Sequence, residues 1–250
     1  MLSQFLQFVF SGVTVGATYA LAALGFSIIY NASGVINFAQ GEFIMLGGMS
    51  AAFLVTAGIP LPLAILIGVL IVGLIGLLVE RLAIAPARNA EVVSIIIITI
   101  GVSMILRGLV GVTLGKGNHA LPHFSGDRPI SLGGATILPQ SIWVLAVSAV
   151  VLAFLAWFFG ATRVGKGMLA TAYNRLAAQL VGVDTRKVLM LSFIMSAMLG
   201  ALGGILIAPI ATTSYDAGIM LGLKGFVAAT LGGLGSGFGS IFGGLALGLF

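Results

Sequence analysis

Gly165–Val188 reads G-K-G-M-L-A-T-A-Y-N-R-L-A-A-Q-L-V-G-V-D-T-R-K-V, the one long polar stretch with a helical pattern in an otherwise apolar chain. Leu169, Tyr173, Leu176 and Leu180 recur at spacings of four, three and four, which places one apolar stripe on a helix. Thr171, Asn174, Arg175 and Gln179 fall on other faces. Gly182 stands where a left-handed residue ends a helix, and Asp184 where an N-cap would open the next, with an apolar run from Val188. The pattern predicts a short amphipathic helix, a glycine stop and a new entry into a membrane. Taken alone it reads as an ordinary basic loop between two membrane helices. The sharper alternative is a docking helix for a cytoplasmic partner.

The composition around this stretch fixes the class. Hydrophobic residues make up 60% of the chain and charged residues 7%, and the mean hydropathy is +1.23. A soluble domain needs far more charge on its surface. The expected fold class is therefore all-α, a polytopic transmembrane helical bundle over residues 1–250. The 37 glycines suit helices that approach closely in lipid. With no cysteine there is no disulfide framework and no thiolate metal site. The net charge of +5 is no nucleic-acid signal, because much of it sits in Arg163–Lys187, where the positive-inside rule explains it. Met1–Gly41 carries no charge, so no signal-peptide n-region is present and the first helix is expected to be retained.

Along the chain, Met1–Tyr30 is one apolar stretch in which Gly12, Gly16 and Ala20, four apart, form a small face for helix packing. Asn31–Gly48 differs: Asn31, Ser33, Asn37, Gln40 and Glu42 interrupt apolar sequence at membrane depth. Unsatisfied polar groups are costly there, and an ionisable residue is a functional candidate by default. Glu42 equally suits the first turn of a half-helix, where the dipole stabilises an acid. Further spans are expected at Leu61–Val79, Val92–Leu114, Ser141–Thr162 and Val188–Ala211, with Gly225–Phe250 as a last glycine-studded run. Counting the segment after Asn37 as a single crossing gives about seven spans, with discontinuous or re-entrant segments. Basic residues place Arg81–Glu91 and Arg163–Lys187 in the cytoplasm and Gly115–Gln140 and Thr212–Lys224 outside. Arg107 lies within snorkelling reach of its helix end. His119 and His123 are separated by Pro122, with Asp127 the nearest acid, and read as loop histidines rather than metal ligands.

Two glycine patterns are decoys. Gly160–Gly167 approaches a phosphate loop but lacks the Ser/Thr that binds magnesium, and it follows a membrane helix instead of a strand. Gly233-Leu234-Gly235-Ser236-Gly237 sits in a membrane run and suits close packing or a broken helix. No catalytic constellation and no metal cluster is evident, so no enzyme activity is expected. Asn31–Gly48 and Gly218–Gly239 each hold Leu-Gly-Gly, at Leu46–Gly48 and Leu231–Gly233, which suggests paired broken segments of two structural repeats.

Three motifs carry a resemblance. Thr18–Gly25 reads T-Y-A-L-A-A-L-G, Gly34–Phe43 reads G-V-I-N-F-A-Q-G-E-F and is followed by Leu46-Gly47-Gly48, and the C-terminal part holds Gly222–Phe226 and Leu231–Ser236. Together with Gly165–Val188, these closely resemble the permease of bacterial branched-chain amino-acid ABC importers, the LivH type. The resemblance covers nearly the whole chain. It implies a multi-pass protein of the bacterial inner membrane, working by alternating access with a second related permease, two cytoplasmic ATPase subunits that bind the ATP, and a periplasmic substrate-binding protein. This chain would bind no cofactor of its own. Residues 163–187 become the coupling loop, with Arg175, Ala177, Ala178 and Gly182 as the ATPase-coupling residues. Leu176 stands where importers often carry Glu. The lever is expected to hold its apolar face against its own permease and present a polar face to the ATPase. Asn37, Gln40 and Glu42 are the expected pathway-lining or gate-supporting groups. Relatives of this type continue into a further helix, so the chain is expected to lack its last one. Nothing separates leucine from urea or other amides, since neutral polar lining suits either. An ion-coupled carrier would explain Glu42 but not the coupling-type loop, and a structural subunit would not explain polar residues at membrane depth.

Overall fold

The computed structural model describes residues 2–88, 90–126, 128–132 and 135–250, so Asn89 and Asp127 lie outside the described residues. Helix α1 runs Leu2–Ser33, α2 Gln40–Thr56, α3 Leu61–Val79, α4 Val92–Thr113, α5 Pro139–Ala161, α6 Arg163–Tyr173, α7 Arg175–Leu180, α8 Thr185–Ala211, α9 Ala217–Leu231 and α10 Gly237–Leu249. A small antiparallel hairpin, β1 Ile130–Leu132 and β2 Ala135–Ile137, decorates the loop before α5. Among the described residues, five segments are long and apolar enough to cross a bilayer: Gln4–Ser33, Leu61–Ile84, Val92–Thr113, Pro139–Ala161 and Thr185–Ala211. With the shorter α2, α9 and α10, they agree with the expectation of about seven spans once discontinuous segments are allowed.

Two boundaries differ from the sequence reading. The helix at Leu61 does not stop at Val79 but continues in π-helical geometry through Glu80–Ile84, and Glu80 is buried there. Thr212–Lys224 is not one outer loop, because α9 begins at Ala217.

The centre of the bundle is built from α1, α2, α8, α9 and α10, which pack on one another. Helices α4 and α5 stand at the periphery and expose most of their surface to lipid. Helix α10 lies antiparallel along α1. A Cβ on Gly12 would come within 2.7 Å of the Gly248 carbonyl oxygen, and one on Gly244 would strike the Ala20 backbone. The small face of α1 thus meets a second glycine face, and the backbones pack without intervening side chains. Further down the seam, the Ser27 and Ser240 hydroxyls bond at 2.6 Å, and Asn31 Nδ2 donates to the Gly235 carbonyl at 2.8 Å. The glycine decoy at 233–237 is the tight turn joining α9 to α10, with Gly233 and Gly235 at φ +85° and +90°, a region open to glycine at little cost.

These contacts orient the chain. The start of α1 lies beside β2, where the Thr136 amide donates to Gln7 Oε1 at 2.8 Å, and its end packs near α6. The basic segments Arg81–Arg88 and Arg163–Lys187 gather at the α6 end, since α3 finishes against the start of α8 through Gly76 on Phe193 and Ala197. By the positive-inside rule that end is cytoplasmic and the N-terminal end of α1 is outside.

The core contains two crossings of the same design and opposite direction. After α1, residues 34–39 leave helical geometry and climb back beside α1, and α2 starts at the level of Gly25 and Ser196. After α8, Thr212 takes φ +53° and residues 212–216 descend before α9 starts beside Gly41. The counterpart of 34–56 is therefore 212–231, not Gly218–Gly239. The Leu-Gly-Gly correspondence fails too. Leu46–Gly48 is mid-helix, packed on Ala201, Gly204 and Thr213, whereas Leu231–Gly233 is the end of α9.

Candidate functional site

The three polar residues expected along the pathway part company. Asn37 Oδ1 accepts the Ala39 amide at 3.1 Å, a local turn that sets the start of α2. Gln40 is fully buried between α2 and α8. Its Nε2 donates to the Ser196 carbonyl at 3.1 Å, while Ser196 Oγ lies 2.6 Å from Gln40 Oε1 and 2.8 Å from the Gly25 carbonyl. Gln40 thus ties three helices together and faces no opening. Glu42 alone of the three borders a cleft.

That cleft lies between α2, α4 and α9 and has a cavity volume of about 180 Å3. Glu42 forms its floor, in the first turn of α2, where the helix dipole favours a carboxylate. The Ser103 hydroxyl donates to Glu42 Oε1 at 2.8 Å. Glu42 Oε2 has no hydrogen-bond partner among the described residues and lies under Gly218, 2.9 Å from where a Cβ would stand. Arg107 lines the same cleft, so it turns inward and does not snorkel to the helix end. Ile100, Ser103 and Arg107 share one face of α4, at spacings of three and four. Opposite them Phe226 stands 5.9 Å from Phe26 and 5.8 Å from Phe38, ring centre to ring centre, as an aromatic wall. The lining is therefore mainly aromatic and aliphatic, with Glu42, Ser103 and Arg107 as its polar side chains, and not neutral and polar. Ser103 and Phe226 were missed in the sequence, although the 100/103/107 spacing was there to be read.

At this floor α2 and α9 approach through glycine backbone. A Cβ on Gly41 would strike the Gly218 carbonyl, and one on Gly222 would lie 2.8 Å from Gly41 Cα.

The second site is the cytoplasmic cap. It is two helices, not one: Asn174 breaks the run with extended geometry and accepts the Ala177 amide at 3.0 Å as the N-cap of α7. Gly182 has φ +87°, and Asp184 Oδ1 accepts the amides of Arg186 and Lys187 as the N-cap of α8. The orientation is the reverse of that expected. Met168, Thr171 and Ala178 face inward and are buried, whereas Tyr173, Leu176, Leu180 and Val181 are 90, 74, 89 and 79% exposed. Leu169 and Tyr173, before the break at Asn174, are also exposed, so the apolar stripe faces outward on both α6 and α7. Ala177 and Arg175 are exposed as well. Helix α6 rests on Ile28 and Ala32 of α1 and on Ser192 of α8, which links the cap to the core. The Asp184 carboxyl is held below the usual range, first by the Lys187 backbone amide.

The sequence profile of the family described as "Branched-chain amino acid transport system / permease component" matches residues 8–250. The chain belongs to this family. It is 36% identical over 261 residues to the high-affinity branched-chain amino acid transport system permease protein LivH of Salmonella typhimurium, covering 98% of this chain and 84% of that protein. It is 30% identical to the corresponding permease protein BraD of Pseudomonas aeruginosa, over 98% and 85% of the two chains. Among solved structures, PsaBC from Streptococcus pneumoniae in complex with Fab matches the fold with a TM-score of 0.53 at 13% identity, over 100% of this chain and 83% of that one. The permease is thus a multi-pass membrane protein of a branched-chain amino acid transport family.

Proposed function

We propose that this permease is one of two related membrane subunits of an ATP-driven importer of branched-chain amino acids in the bacterial inner membrane. Two ATPase subunits bind the cap, and a soluble protein delivers substrate to the outer face. The observation that carries this reading is the exposed apolar stripe of α7, set at the basic end of the bundle in a chain of a permease family. An apolar patch in water marks a surface that a partner covers, and the basic residues around it place that partner in the cytoplasm. Ala178 and Gly182 keep α7 close to its base, while Arg175 and Ala177 stand on its accessible side. ATP binds to the partner subunits, and this chain holds no cofactor. When the ATPases close, α7 is displaced and α6 transmits the movement to the ends of α1 and α8. The contact between α2 and α9 brings glycine backbones together beside the cleft, and it is the gate that opens. Asn37 and Gln40 support that gate by fixing α2, and Glu42 lines the way through.

The test is uptake into proteoliposomes holding the permease with its partner permease, ATPases and binding protein. Leucine uptake that requires ATP on the ATPase side is expected. Urea uptake in its place would replace the substrate and keep the mechanism, whereas uptake that follows an ion gradient without ATP would overturn the importer.

A further inference from the structure

The cleft between α2, α4 and α9 holds a carboxylate and a guanidinium that do not touch. Among the described residues the one ion pair within 4.0 Å is Lys187–Asp184, far from this site. Glu42 and Arg107 therefore share a cleft at membrane depth without neutralising each other directly. Unpaired charges are costly in such a place. Glu42 is 2% exposed and has one oxygen bonded to Ser103 and the other free. Ser103 and Arg107 are four residues apart on one face of α4, a rise of about 6 Å. A group with a cation at one end and an anion at the other, a few bonds apart, spans that distance. Next to the two charges stands the Phe26–Phe226–Phe38 wall, which suits a branched aliphatic chain and offers nothing to a small polar amide.

We propose that this cleft is a transient recognition site for a free amino acid in its zwitterionic form. Glu42 and Ser103 take the α-ammonium, Arg107 takes the α-carboxylate, and the three phenylalanines take the side chain. The inference rests on the amino-acid permease reading above and gives the membrane subunit its own share of selectivity, beyond what the delivering protein supplies. In the described conformation Gly218 covers Glu42 Oε2. Sliding at the Gly41–Gly218–Gly222 contact uncovers it, so leucine binds the slid arrangement best and shifts the resting population toward it. Affinity is correspondingly weak, as passage requires.

The experiment uses the assembled transporter without its binding protein, in nanodiscs, and follows the melting temperature during titration with four probes. These are leucine, 4-methylpentanoate (leucine without its ammonium), 3-methylbutylamine (leucine without its carboxylate) and urea. Leucine is expected to half-saturate at a concentration roughly tenfold or more below either half-analogue, the worth of one charged hydrogen-bonding contact. Urea is expected to give no saturable shift. Glu42→Gln, which keeps an acceptor for Ser103, should close the gap between leucine and 4-methylpentanoate while leaving the gap to 3-methylbutylamine. Arg107→Gln should do the opposite. A purely structural role for either residue would weaken all probes alike. If Glu42→Gln fails to assemble, Ser103→Ala on the peripheral α4 carries the ammonium arm. Equal responses to leucine, 4-methylpentanoate and urea, or identical patterns in both variants, would overturn the proposal. ATP-dependent leucine uptake beside such a flat pattern removes the clamp and leaves the importer standing. The crossed pattern beside uptake that ignores ATP removes the importer and leaves the clamp.

Discussion

The two broken crossings follow one plan but are held in different ways. The first break, residues 34–39, is fixed from inside the core by side chains: Ser33 to its own turn, Asn37 to Ala39, and Gln40 to Ser196 on a third helix. The second, residues 212–216, is fixed by backbone to an outer loop. The Thr213 amide donates to the His119 carbonyl and the His119 amide to the Thr213 carbonyl, both at 2.8 Å, with the Phe53 ring tilted against the His119 ring. Thr212 holds a backbone geometry that non-glycine residues rarely adopt. One break is tied to neighbouring helices by polar side chains, whereas the other is tied by backbone to a surface loop, with Thr213 packed on Gly48 of α2. We expect α2 to be the more firmly held side of the cleft, although α9 is itself tied to α1 where Lys224 Nζ donates to the Tyr19 hydroxyl at 2.9 Å.

The largest effect is expected where the fixed side is packed backbone on backbone. A side chain at Gly204 would strike the Ile44 carbonyl, so Gly204→Leu should cost about 3 kcal/mol or more and abolish recovery of an assembled complex by size-exclusion chromatography. Normal recovery would mean that the α2–α8 contact is looser than described. Next, Gln40→Leu should cost about 1–3 kcal/mol, because the Ser196 carbonyl loses its donor in the core. An unchanged melting temperature would dissolve the distinction between the two breaks. Thr213→Pro removes one of the two bonds to His119 and should cost about 1 kcal/mol. Hydrogen exchange should quicken in 212–217 and stay slow in α2; quickening in both would show that the breaks move together.

Smaller still in stability are the cap variants. Leu176→Ser and Leu180→Ser should change the folding free energy by no more than about 0.5 kcal/mol, since both residues are exposed. They should nonetheless release the ATPase subunits in a pull-down, and retention would place the docking surface elsewhere. The faintest effect is at Asp184. Its carboxyl titrates below the usual range when folded, so its capping contribution is complete above the unfolded value and disappears as the pH falls through the lower, folded one. Exchange of the Arg186 and Lys187 amides should speed up only in that acid window, and Asp184→Asn should shift the onset.

Much of this was readable from local pattern. Gly182 and Asp184 announced the end of one helix and the start of the next, because left-handed geometry and side-chain capping are decided by a few neighbouring residues. The small face at Gly12, Gly16 and Ala20 announced close packing, though not against which helix. The reading of the coupling stripe as an inward face failed because periodicity shows that Leu169, Tyr173, Leu176 and Leu180 share a side, not whether the bundle lies on that side. All four are exposed, and Asn174, which caps α7, adds a break that the spacing did not show. Arg107 was read along its own helix, whereas its place in the cleft depends on where α4 lies against α2 and α9.

By itself, the sequence determined that the chain is a multi-pass helical membrane protein, which end of the bundle is cytoplasmic, and where the cap begins and stops. These depend on hydropathy, charge and single-residue geometry, all local along the chain. Only the tertiary structure decided which polar residues are bolts and which face an opening. Asn37, Gln40 and Glu42 lie within six residues of one another, and all three are polar residues in an apolar stretch. Their fates part because Ser196 on α8 satisfies Gln40, while Ser103 on α4 satisfies only half of Glu42. A buried polar group is defined by the partner it finds, and that partner lies 61 residues away for Glu42 and 156 for Gln40.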